Sequence, residues 1–178
     1  MNPRFALKKA TDAVHAELDG LLSKLDLADR SDYSRFLLIQ AAVVPPLEAA
    51  LDAFGMGAIV EDWDGHRRSD LLQSDLAELG CAMPEPLQVP PVETAAQALG
   101  AAYVMEGSRL GGQILARSVG PEMPGSFLFP NGHKRAWPAL VAALTRDLDS
   151  PSLLEEAKGA ASRTFGLFVG AARKNGLE

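Results

Sequence analysis

Cysteine is almost missing from this 178-residue chain, with Cys81 standing alone. One thiol excludes an intramolecular disulfide and a cysteine-based zinc site, and it suits a reducing cytoplasm. Histidine is scarce as well: His15, His66 and His133 are the full set. None falls in an H-E-x-x-H motif, an EF-hand loop or a di-iron Glu-x-x-His pair. Basic residues are outnumbered, 17 Lys and Arg against 23 Asp and Glu, for a net charge of −6. They are also scattered, which argues against a nucleic-acid surface. No uninterrupted apolar run approaches the ~18 residues of a transmembrane helix. The opening "MNPRFALKKATDAVHAELD" is charged too early for a secretory signal, so neither membrane association nor export is expected. There is no G-x-S-x-G, and Cys81 has no histidine nearby in sequence, which leaves nucleophilic catalysis without support.

What the chain does have is alanine and leucine at helical spacing, within a composition 47% hydrophobic and 22% charged. Residues 5–27 place Leu7, Ala10, Val14, Leu18, Leu21, Leu22 and Leu25 on one broad face, with Asn2-Pro3 as a start signal. A second helix is predicted to begin near Ser31 or Asp32, with Pro45-Pro46 kinking or splitting it. "HRRSDLLQSDLAELG" reads as a short amphipathic helix ending at Gly80, and "CAMPEPLQVPPVE" as an extended connection. A glycine-bearing helix follows over about 92–118, and two more close the chain at about 134–148 and 150–174. The expectation is a single all-α domain over 1–178 with six or seven helices.

Two features carry chemistry. "YVMEGSRLGGQILAR" has helical spacing but contains Gly107, Gly111 and Gly112, at a helix-propensity cost of roughly 2–3 kcal/mol relative to alanine. It is neither a dinucleotide fingerprint, since no strand precedes it, nor a P-loop, since the lysine is missing. Its glycines admit either a closely packed neighbouring helix or a flat ligand lying against bare backbone. The second feature is His15, with Asp19 one turn on and able to accept the Nδ1 proton, leaving Nε2 as a neutral ligand. An ordinary hydrogen-bonded histidine has the same spacing.

Five stretches taken in order resemble the heme oxygenase family. "LKKATDAVH" is similar to the opening LK-x-AT-x-x-VH helix, and "YVMEGSRLGGQIL" to the distal helix in the E-G-S-x-L-G-G form of bacterial biliverdin-producing members. "HRRSDLLQSDLAELG" matches R-x-x-x-L-x-x-DLA, "YSRFLLIQAAVVPPLEAAL" the F-L…PLE stretch, and "EEAKGAASRTFGLF" the closing EA-[KR]…F helix. The resemblance implies an all-α heme oxygenase-like fold, with heme between a proximal helix carrying His15 and the glycine-rich distal helix. Heme is then both prosthetic group and substrate. O2 and electrons open it to biliverdin, CO and Fe2+, the electrons coming from a ferredoxin, flavodoxin or reductase. The biliverdin would serve a phytochrome photoreceptor, or the iron would serve acquisition.

The resemblance also implies a set of site residues. His15 is the iron ligand, and Gly107, Ser108 and Gly111 take the distal catalytic positions, with Ser108 a candidate anchor for water-borne protons. Lys8, Thr11, Asp19, Met105, Gly112, Lys134, Arg135 and Phe168 complete the expected heme contacts, with Phe165 a further candidate. This sequence departs from the family at Asp12, where a second lysine is usual, and at Ser108, where mammalian-type members have aspartate. The altered basic residues keep a second reading open: a non-catalytic heme- or tetrapyrrole-binding or sensor protein on the same fold.

Overall fold

The structure is a computed structural model, and it describes residues 2–128 and 135–178. Among the described residues there are six α-helices and no strand: α1 Pro3–Leu22, α2 Arg30–Phe54, α3 Ser69–Glu78, α4 Ala95–Leu115, α5 Ala136–Asp147 and α6 Pro151–Lys174. Short 3-10 turns lie at Met56–Ala58, Trp63–His66 and Ala116–Ser118. The helix starts follow side-chain capping. Asn2, Asp29, Thr94 and Ser150 each accept a hydrogen bond from a first-turn N–H, and prolines begin α1 and α6. α1 stops at Leu22, earlier than the periodicity predicts, and Leu25 and Leu27 reach the core from the segment that follows.

Of the two outcomes expected at Pro45-Pro46, a kink or a split, the split does not occur: both prolines sit inside one continuous 25-residue helix, α2. Pro46 lacks the N–H that would bond the Ala42 carbonyl one turn back. The Leu87 N–H, from the proline-rich 81–93 connection, donates to that carbonyl at 2.8 Å. A distant segment thus satisfies the acceptor that the proline leaves open, and tertiary packing holds the helix together. α2 is also long and apolar enough by composition to match a membrane span, with a mean hydropathy of 1.5 over its best window. Its apolar residues, among them Leu37, Ile39, Val43, Val44 and Leu51, are fully buried in the core.

α6 is the spine against which α1 and α4 both pack. The α4–α6 approach is close at Gly100, where an added Cβ would lie 2.2 Å from the Ala157 carbonyl oxygen. That clash is with backbone, so Gly100→Ala must push the two helices apart. We expect it to destabilise the protein by about 1–3 kcal/mol, read as a lower midpoint in denaturant unfolding.

Candidate functional site

The other glycines of α4 have the opposite surroundings. A Cβ built on Gly107 or Gly111 would meet nothing within 4 Å, whereas one on Gly112 would touch Leu128 at 3.1 Å. Because α1 and α4 both lean on α6, a gap opens between them, and Gly107 and Gly111 face it. The result is a largely apolar cleft of about 520 Å³, a size suited to a small-molecule ligand. Leu18 and Leu22 of α1, Phe165 and Phe168 of α6, and Phe127 and Leu128 of the loop after α4 supply much of the apolar wall. Asp75 of α3 fixes that loop: its buried carboxylate accepts hydrogen bonds from the Ser126 and Phe127 N–H groups at 3.1 and 2.9 Å.

His15 lies on the α1 wall, its ring stacked on Phe165 with centroids 5.0 Å apart. Its contact with Asp19 differs from expectation: Nε2, not Nδ1, faces the carboxylate, at 3.5 Å. Both side chains are more than half exposed, and a pair of this kind contributes less than about 1 kcal/mol. The imidazole is therefore free to turn at little cost. Thr11, buried beside it, donates its hydroxyl to the Leu7 carbonyl at 2.9 Å. Lys8 stands at the rim, where its ammonium is 2.9 Å from Asp12. That hydrogen bond, together with the Asp12 charge, raises the Lys8 pKa above its ordinary value.

The cleft thus brings together Lys8, Thr11, His15, Asp19, Gly107, Ser108, Gly111, Gly112 and Phe168 of the residues expected from sequence. Met105 does not join them. Two residues before Gly107, it lies some 200° around the helix and is buried in the core. Arg135 is exposed just before α5 and does not line the cleft, where Trp137 stands instead. Lys134 lies outside the described residues.

Behind the glycine face, a buried polar network holds α4. Arg68, just before α3, is 2% exposed and donates through Nη2 to the Met105 carbonyl at 2.9 Å and to Ser108 Oγ at 2.8 Å. The guanidinium also lies over the Phe127 ring, 4.7 Å from its centroid. Burial, and then the nearby Arg109 charge, lower its pKa to about 10. The Ser108 hydroxyl donates to the Met105 carbonyl at 2.7 Å. With its proton so engaged and one lone pair on Arg68, only an acceptor site remains toward the cleft. Sequence reasoning missed Arg68, because its partners lie 37 and 40 positions away. The signal was present in the R-x-x-x-L-x-x-DLA motif, which holds both Arg68 and Asp75.

Next to it, Glu106 meets His66 Nδ1 at 3.1 Å and Arg109 at 3.2 Å, all three buried. Burial alone would raise the Glu106 carboxyl, but the His66 hydrogen bond and the two arginine charges outweigh it and hold its pKa below 4.5. The stability it contributes is complete above the unfolded value near 4.5 and is lost as pH falls through the lower folded value. Glu48, raised by burial, has the opposite sign, so the effect is read as a difference between proteins. Glu106→Gln is expected to be less stable than the wild type at pH 7, with the gap closing below pH 4.5 in parallel denaturant titrations.

Among the described residues the fold is all-helical, and its largely apolar cleft has an imidazole on one wall and bare backbone on the other. No sequence-family model matches the chain. It is 27% identical over 146 residues to a heme oxygenase from Xanthomonas campestris pv. campestris, an alignment covering 79% of this chain and 88% of that protein. Its fold superimposes on the NO- and CO-bound heme oxygenase from Neisseria meningitidis with a TM-score of 0.85, at 23% identity, over 98% of this chain and 92% of that one. The protein therefore has the heme oxygenase fold, and the resemblance to the heme oxygenase family is borne out in both sequence and structure.

Proposed function

We propose that the protein is a heme oxygenase that binds heme in the α1–α4 cleft and opens it to biliverdin, CO and Fe2+. The observation that carries this reading is the pairing of His15 on one wall with the empty space before Gly107 and Gly111 on the other. The fit is chemical as well as steric: the wall is mostly apolar, one imidazole is within it, and Cβ atoms at the two glycines would project into the space a flat macrocycle takes. Bound heme supplies both the redox-active iron and the ring that is opened, with O2 and electrons from outside.

The chain's own residues bind, orient and exclude water. With Nε2 turned from Asp19, His15 would hold the heme iron, and the Phe165 ring stacked on it would limit how the imidazole turns. Gly107 and Gly111 present backbone to the opposite ligand face, and Leu18, Phe127 and Phe168 keep bulk water out. Ser108, held by Arg68, keeps an acceptor lone pair for one ordered water and thereby gives protons a fixed point of arrival. No flavin or nicotinamide motif is present in the sequence, so the reductant is a separate ferredoxin, flavodoxin or reductase. A cytoplasmic setting, with biliverdin passed to a phytochrome or iron retained, completes the reading.

The test is turnover of the wild-type protein with heme and a chemical reductant in air. Loss of the Soret band with release of CO and appearance of a biliverdin spectrum is the expected result. A stable Soret band throughout would replace this reading with a heme-binding protein that performs no chemistry.

A further inference from the structure

Heme carries two carboxylates, and an apolar cleft that takes it needs a cation where they emerge. Among the described residues lining the cleft, only Arg4 and Lys8 carry lysine or arginine charge. Lys8 is less suited: Asp12 sits 2.9 Å from its ammonium, and although this exposed pair is itself weak, the Asp12 carboxylate repels a second one at the same place. Arg4 has no such partner, since no carboxylate pairs with it among the described residues. Its guanidinium instead lies over the Trp137 ring at 5.4 Å and the Phe5 ring at 5.7 Å from the centroids. Tyr103 packs against the same indole, with ring centroids 5.9 Å apart. A cation–π contact of this kind ties none of the guanidinium N–H donors to an acceptor, which leaves them available to a carboxylate.

Resting on the heme reading above, we infer that Arg4, held over the Trp137 ring at the rim of the cleft, is the anchor for a carboxylate of the bound tetrapyrrole, in place of Lys8. Sequence reasoning passed over Arg4 because it sits in the first turn of α1, ahead of the motif that ends in His15. The Trp137 platform lies far off in the chain and comes to it only in the folded protein.

The test is spectroscopic titration of the full chain with heme and with heme dimethyl ester, whose carboxylates are blocked. Arg4→Ala is expected to weaken heme binding about tenfold, as for one charge-assisted contact, and to leave ester binding unchanged. Arg4→Lys should recover part of the loss. Asp12→Asn, added to Arg4→Ala, should recover part of it by releasing Lys8. Equal affinities of wild type and Arg4→Ala for heme, or equal weakening for heme and its ester, would overturn the inference and leave the heme reading intact. Absence of any wild-type Soret complex with either compound would overturn the heme reading itself.

Discussion

His15→Ala is expected to abolish heme turnover while leaving the fold in place. The side chain is about half exposed, so its loss opens no large core cavity; the main contact removed is the stack on Phe165. Thermal unfolding and helical circular dichroism should therefore change little. The chemical consequence should be far greater, because among the described residues His15 is the one histidine lining the cleft. His66 is buried against Glu106 and Trp63, away from the cleft lining. No group of three or more metal-binding side chains occurs among the described residues. Losing a partner that merely orients a ligand typically reduces metal affinity or activity about 10–100-fold, so removing the ligand itself should exceed that. Biliverdin formation is the readout. A His15→Ala protein that turns heme over at the wild-type rate would exclude His15 as the ligand.

Gly111→Ala separates stability from function in the opposite direction to most substitutions. Nothing lies within 4 Å of the new methyl group, and the position is inside α4 with no positive φ to forbid alanine. The helix should gain roughly 0.5–1 kcal/mol. The same methyl projects into the cleft where the ligand face is to rest. Displacing a reacting group by about 1 Å can reduce rate about 100-fold, and a loss of that order in biliverdin formation is expected alongside a higher unfolding midpoint. Gly100→Ala, on the same helix and the same residue type, should instead destabilise. If Gly111→Ala proved less stable than wild type, the space before α4 would be closed rather than open.

The contrast between these glycines shows what the sequence could and could not convey. Periodicity revealed α4 and its unusual glycine content, but not which glycines meet a helix and which meet a cavity. That depends on α6 approaching at Ala157 and on α1 standing off, and both helices are distant in sequence. Capping residues placed the starts of α1 and α6 closely because that chemistry is local. The continuity of α2 was not legible, because the donor that satisfies Ala42 comes from Leu87. The same distinction holds for the candidate site. His15, Ser108 and Gly111 fall within contiguous motifs, whereas Arg68 and Arg4 meet Ser108 and Trp137, partners that only the folded chain supplies. Met105 was misjudged by helical phase alone.

The most direct test of the central claim, that α1 and α4 form the two walls of one heme site, is a crystal structure of the protein with heme bound. It should show the macrocycle between His15 and the backbone of Gly107 and Gly111, with His15 Nε2 turned from Asp19 to the iron. Heme bound elsewhere, or held in the cleft by any other protein ligand, would contradict it.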